Sequence, residues 1–129
     1  MAIGLYQNMQ LTCFVMTQKS VSDLRIKILS ALSDPTRLEL LEYLSGGERC
    51  VCEILPAFQR SQSTISKHLN ILHDADILER KIEGKRTVYR IKDPRVFEII
   101  RMVDSLALTQ ISLLTEVGRI LEISLNNRS

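Results

Sequence analysis

Apolar residues recur at helical spacing in most of the chain and at strand-like spacing in two short runs. Val21, Leu24, Ile28 and Leu32 lie three or four apart, which predicts a first helix. Ser33-Asp34-Pro35 then supplies an N-cap and a first-turn proline, so a second helix starts near Pro35. Its apolar stripe includes Leu38, Leu41 and Leu44, and Gly46-Gly47 ends it. A short helix follows around Cys52, Ile54, Leu55 and Phe58, where Pro56 must kink it or confine it to a first turn. Past a turn at Gln59 and Arg60, Ser61 caps a helix whose Ile65, Leu69 and Leu72 fall at i, i+4 and i+7.

Two β-prone runs, Leu78–Ile82 and Thr87–Ile91, are joined by Glu83-Gly84-Lys85-Arg86, a hairpin tip. Asp93-Pro94 signals another helix start, and the pattern continues to about Leu125, roughly 45 Å of helix. So small a monomer cannot cover that length. Val96, Ile99, Ile100, Val103, Leu106, Leu114 and Leu121 are therefore expected to bury against a second copy. Residues 1–20 lack periodicity and read as an N-terminal arm. Residues 21–129 read as one winged helix-turn-helix domain, mainly α with a β-hairpin wing, dimerising through its N- and C-terminal helices.

Composition narrows the class further. At 129 residues the chain supports one domain with a modest core. Aromatic residues are 5% and Trp is absent, so that core must be aliphatic. The net charge of +2 is small, but its distribution is uneven. Nine basic residues stand against five acidic ones between Gln59 and Arg95, a balance of +4, the footprint of a polyanion-binding surface. Three cysteines, two of them separated by one residue, do not make a secreted disulfide framework, and a reducing cytoplasm is the expected compartment. A mutual disulfide between such close cysteines is not expected. Gln7, Asn8 and Gln10 interrupt the apolar start of the chain, so neither a signal peptide nor a membrane span is expected there.

Two constellations carry candidate chemistry. Major-groove reading needs short polar side chains at a helix N-terminus, where backbone N–H groups also approach phosphate. Ser61, Gln62, Ser63, Thr64, Ser66, Lys67 and His68 meet that need, with Gln62 the candidate for a base edge and Lys67 for a phosphate. Lys85 and Arg86 on the hairpin tip can reach the adjacent backbone or minor groove. The second constellation is Cys50-Val51-Cys52. In a continuous helix these thiols would project about 200° apart. At a helix start the first residue is non-helical, and the two can converge. Soft thiolates select zinc, cadmium, lead or trivalent arsenic, and Cys13 on the arm is the candidate third ligand. His68 and His73, five apart, do not share a face well enough to be ligands. No redox fold or substrate cleft is suggested, so an enzyme is not expected.

These residues resemble the arsenic-repressor (ArsR/SmtB) family of winged-helix metalloregulators. The likeness covers about Leu24 to Leu121. It is densest in Ala31-Leu-Ser-Asp-Pro-Thr-Arg37, Cys50-Val-Cys-Glu53 and Ser61-Gln-Ser-Thr-Ile-Ser-Lys-His-Leu69. The resemblance implies a homodimeric repressor on a partly palindromic operator. It implies release of DNA when the Cys-Val-Cys site binds arsenite, antimonite or a soft divalent metal, with no cofactor required for DNA binding itself. Some arsenic sensors of the family carry a further cysteine three residues after the pair; that position is Leu55 here. Gln59 and Asp76 stand at turn positions where the family often has glycine, which makes either a candidate for positive φ. Two alternatives stay open: a thiol-redox repressor in which Cys13 oxidises with Cys50 or Cys52, and a ligand-independent winged-helix binder.

Overall fold

In a computed structural model, residues 20–128 are described; Cys13 and the rest of the arm's first nineteen residues lie outside them. Helix α1 occupies residues 20–32. Helix α2 (Pro35–Leu44) starts as its sequence dictates: Asp34, extended at φ −150°, accepts the Arg37 N–H at 3.1 Å, and Pro35 fills the first turn. Burial on α2 falls on Leu40, Leu41 and Leu44, while Leu38, expected on the apolar stripe, is half exposed. Strand β1 is only Arg49–Cys50, and helix α3 (Val51–Ala57) begins immediately after it. Pro56 sits one residue from the end of α3, so it limits length instead of breaking the helix.

Helix α4 (Gln62–Asp74) is capped by Ser61, whose Oγ accepts the Thr64 N–H at 3.2 Å. It closes with paired bonds from Asp76 N–H to the His73 carbonyl and from Ile77 N–H to the Leu72 carbonyl. That closure needs a left-handed residue one place beyond the cap. Asp76 takes it at φ 62°, and among the described residues it is the only non-glycine at positive φ; Gln59 is not. Of the two candidates for that conformation, the helix closure selected Asp76.

Strands β2 (Leu78–Glu83) and β3 (Arg86–Ile91) form the wing, with Glu83 opposite Arg86 and a two-residue tip, Gly84-Lys85. Sheet order is β1-β3-β2, all antiparallel, with Cys50 opposite Val88. The side chains of Leu40, Leu41, Leu44, Ile54, Ile65, Leu69, Leu72 and Leu78 are fully buried, so α2, α3, α4 and the root of the wing share one aliphatic core. Gly84 lies at φ 62° with nothing within 4 Å of where a Cβ would stand. Gly84→Ala is therefore expected to cost about 1–2 kcal/mol from backbone conformation alone. A shift in the urea midpoint with unchanged m checks this.

From Pro94 onward the chain is a separate unit, the helix α5 (Arg95–Asn126). Its 32 residues extend about 48 Å. Val103, Leu106, Leu114 and Leu121 are each more than half exposed in the single chain. Among the described residues no helix is long and apolar enough to cross a membrane.

Candidate nucleic-acid interface

The N-terminus of α4 presents the polar residues singled out in the sequence, but not all of them outward. Ser61 Oγ lies 2.8 Å from Thr64 Oγ1 and 3.1 Å from Ser63 Oγ, so part of this hydroxyl cluster caps the helix. Gln62, Ser63 and Lys67 are exposed, and Ser66 is half-buried. His68 faces inward: its side chain is 15% exposed, with Nδ1 3.1 Å from Arg37 Nη1 and 3.8 Å from Asp34 Oδ1. Because a guanidinium can only donate, this His68 nitrogen is the acceptor. Arg37 also donates from Nε to the Ala31 carbonyl at 2.6 Å and from Nη2 to the Ser30 carbonyl at 3.1 Å. One side chain thus binds the end of α1 and the inner face of α4. Desolvation raises the Asp34 carboxyl, but the backbone N–H bonds from Arg37 and Thr36 and the nearby Arg37 charge outweigh it. The carboxyl is held below its ordinary value.

Asn70, not anticipated in the sequence reading, extends the Gln62–Ser66 line by another i+4 step and is exposed. That spacing was its signal. The three residues border a cleft of about 550 Å³ whose far wall is the wing, including Arg80, Lys85, Arg86 and Thr87. Cys50 and Cys52 also line it. Candidate reading residues, wing cations and the thiol pair therefore share one concavity.

The thiol pair converges because Cys50 is not helical. Cys50 is the N-cap of α3, extended at φ −69° and ψ 149°, which brings its Cα to 5.0 Å from that of Cys52. The structure records the two sulfurs as a disulfide, a correction to the sequence reading; the extended N-cap places the pair within bridging range. Cys50 Sγ accepts the Cys52 N–H at 3.0 Å, and Glu53 Oε1 accepts the Cys50 N–H at 3.2 Å, a reciprocal capping box. Glu53, missed in the sequence, also reaches Arg86 Nη2 at 3.6 Å and Arg49 Nη1 at 3.8 Å. The sulfur-bearing helix start is tied to the wing through both this carboxylate and the β1–β3 pairing.

Two sulfurs that reach one another can also reach a common atom, so this donor pair fits a thiophilic ion. Among the described residues no group of three or more His, Cys, Asp or Glu side chains could hold a metal, so the pair is an incomplete site. Cys13, the expected third ligand, lies outside the described residues.

A capped reading helix packed behind a short helix, followed by a basic two-stranded wing, defines a winged helix-turn-helix DNA-binding regulator. Comparison with known proteins takes this further. Residues 34–80 match the family described as bacterial regulatory protein, arsR family. An uncharacterized HTH-type transcriptional regulator of Methanocaldococcus jannaschii is 47% identical over 81 residues, covering 62% of this chain and 91% of that protein. The arsenical resistance operon repressor of Staphylococcus aureus is 39% identical over 57% of this chain and 71% of its own length. A homodimeric winged helix-turn-helix DNA-binding domain from Mycobacterium bovis superposes with a TM-score of 0.64 at 29% identity, covering 73% of this chain and 87% of that one. The chain belongs to the ArsR family of transcriptional repressors and is a DNA-binding regulator, not an enzyme.

Proposed function

We propose that this chain is a cytoplasmic, homodimeric repressor that leaves its operator when Cys50 and Cys52 take trivalent arsenic, antimony or a soft divalent metal such as zinc, cadmium or lead. One observation carries the reading: the paired cysteines line the cleft between α4 and the wing. A bound thiophilic centre would hold both sulfurs as thiolates around one atom, with Cys13 as the third donor. The arsenical, cadmium and SmtB-type repressors among the relatives support inducers of this kind.

The chain's own residues transmit the change. Cys50 is at once the end of β1 and the cap of α3, so moving its sulfur disturbs the Cys52 N–H bond, the Glu53 capping box and the Glu53–Arg86 pair together. On the DNA side, Gln62 and Ser63 supply base-edge contacts, with Ser66 and Asn70 along the same helix. Lys67, Lys85 and Arg86 neutralise phosphate. Ser61, Thr64 and His68 act behind them by capping and seating α4. The exposed apolar residues of α5 supply the surface for a second copy, and half-sites are expected about one DNA turn apart or a multiple of it.

The test is fluorescence anisotropy on the DNA upstream of the coding sequence, with arsenite, cadmium, zinc and peroxide added in turn. Arsenite or a soft metal is expected to weaken binding about 5–150-fold. Cys50→Ser or Cys52→Ser should remove that response while leaving the salt dependence of binding intact. A Cys13→Ser protein that responds normally would show that Cys13 is not a ligand. A second reading, a redox repressor, is favoured specifically by the Cys50–Cys52 disulfide. It predicts release by peroxide without response to arsenite.

A further inference from the structure

We propose that the cleft between α4 and the wing receives an anionic low-molecular-weight thiol, which joins Cys52 as a mixed disulfide and takes the cations that a DNA backbone would use. The cleft is about 550 Å³, room for a carboxylate-bearing thiol of tripeptide size. Within the pair the two sulfurs differ in access: Cys50 is 3% exposed and Cys52 is an exposed residue. An incoming thiolate therefore reaches Cys52.

Its sulfur forms a bond to Cys52 Sγ while the Cys50–Cys52 bond breaks, and the electron pair leaves on Cys50 Sγ. The Cys52 backbone N–H, already 3.0 Å from Cys50 Sγ, stabilises that departing thiolate. The proton lost by the incoming thiol ends on Cys50 or in water. One disulfide forms and one breaks, so no outside oxidant is required.

Charge selects the ligand class. Arg86 is engaged by Glu53 at 3.6 Å, but among the described residues neither Arg80 nor Lys85 has an ion-pair partner. Both border the cleft that holds the sulfurs, so carboxylates on an arriving thiol gain favourable charge and a cationic thiol is repelled. Leu55 and Ile82 supply apolar wall for the aliphatic link. The consequence for DNA rests on the reading of α4 and the wing given above; the adduct itself does not.

The test uses the full-length Cys50→Ser protein, in which Cys52 has no neighbouring thiol and takes the adduct from a reagent disulfide. Oxidised glutathione (anionic), bis(2-hydroxyethyl) disulfide (neutral) and cystamine (cationic) are compared by intact-mass kinetics. Each rate is divided by the same reagent's rate with a short unstructured cysteine peptide, and peptide mapping places the adduct. The normalised rate for oxidised glutathione should exceed that for cystamine about ten-fold or more at low salt. That preference should collapse in added Arg80→Ala/Lys85→Ala and, with no further substitution, at high salt.

Equal normalised rates, or a preference untouched by the double substitution and by salt, overturn the site. The glutathione adduct is further expected to bind upstream DNA about ten-fold more weakly than the hydroxyethyl adduct. Equal affinities overturn the competition. Failure of the unmodified Cys50→Ser protein to bind DNA counts against the repressor reading alone, because adduct selectivity still decides the site.

Discussion

Replacing Ile65 with alanine should remove about 2–5 kcal/mol of unfolding free energy and with it most of the protein's affinity for DNA. Ile65 is 0% exposed, and with Leu69 and Leu72 it forms the whole buried face of α4. Truncation leaves a void among residues that are already fully enclosed, so both transfer and cavity terms act. The reading residues Gln62 and Ser66 stand on either side of it in sequence, and their aim depends on how that buried face seats. Urea unfolding gives the energy and anisotropy on upstream DNA gives the binding. Lys67→Ala, exposed on the same helix, is the contrast: its stability should change by no more than about 0.5 kcal/mol. An Ile65→Ala protein within about 1 kcal/mol of the parent would contradict the burial argument.

Arg37→Ala should cost about 2–3 kcal/mol, although no ligand is proposed to touch Arg37. Its guanidinium, in a side chain 12% exposed, donates to the Ala31 and Ser30 carbonyls and to His68 Nδ1. Removing it takes the donor from the Ala31 carbonyl at the end of α1 and from His68 Nδ1 on α4, whereas the Ser30 carbonyl keeps the Ser33 hydroxyl and N–H. Arg37→Lys should recover little, because a single ammonium cannot span three acceptors in a planar fork. A double-mutant cycle with His68→Ala separates this clamp from a simple loss of packing. A coupling above about 0.5 kcal/mol is expected, and additive losses would dissolve the pairing. His68 should then influence DNA binding through the seating of α4, so its substitution should weaken all sequences similarly without changing base preference.

Much of the architecture was legible from local signals. Helices α1, α2, α4 and α5 follow from apolar periodicity with Asp34-Pro35, Ser61 and Asp93-Pro94 marking their starts, and all of these act within one or two turns. The wing followed from two β-prone runs around Gly84, and the structure places its tip at Gly84-Lys85. Even the convergence of Cys50 and Cys52 was readable, since a residue ahead of a helix is free of the helical 100° step.

Other features depended on neighbours distant in the chain. Strand β1 is two residues long and exists because Arg49 and Cys50 pair with Tyr89 and Val88, a partnership with no local pattern. The inward turn of His68 required Arg37 and Asp34 to arrive from α2, and the engagement of Glu53 required Arg86 from the wing. Asp76, not Gln59, took the left-handed conformation because the closure of α4 against Ile77 demands it at that one place. Short-range sterics and capping therefore determined which elements form, and the sequence carries those directly. Which face a polar side chain presents, and what it pairs with, is settled by long-range packing, and only the tertiary structure could decide that.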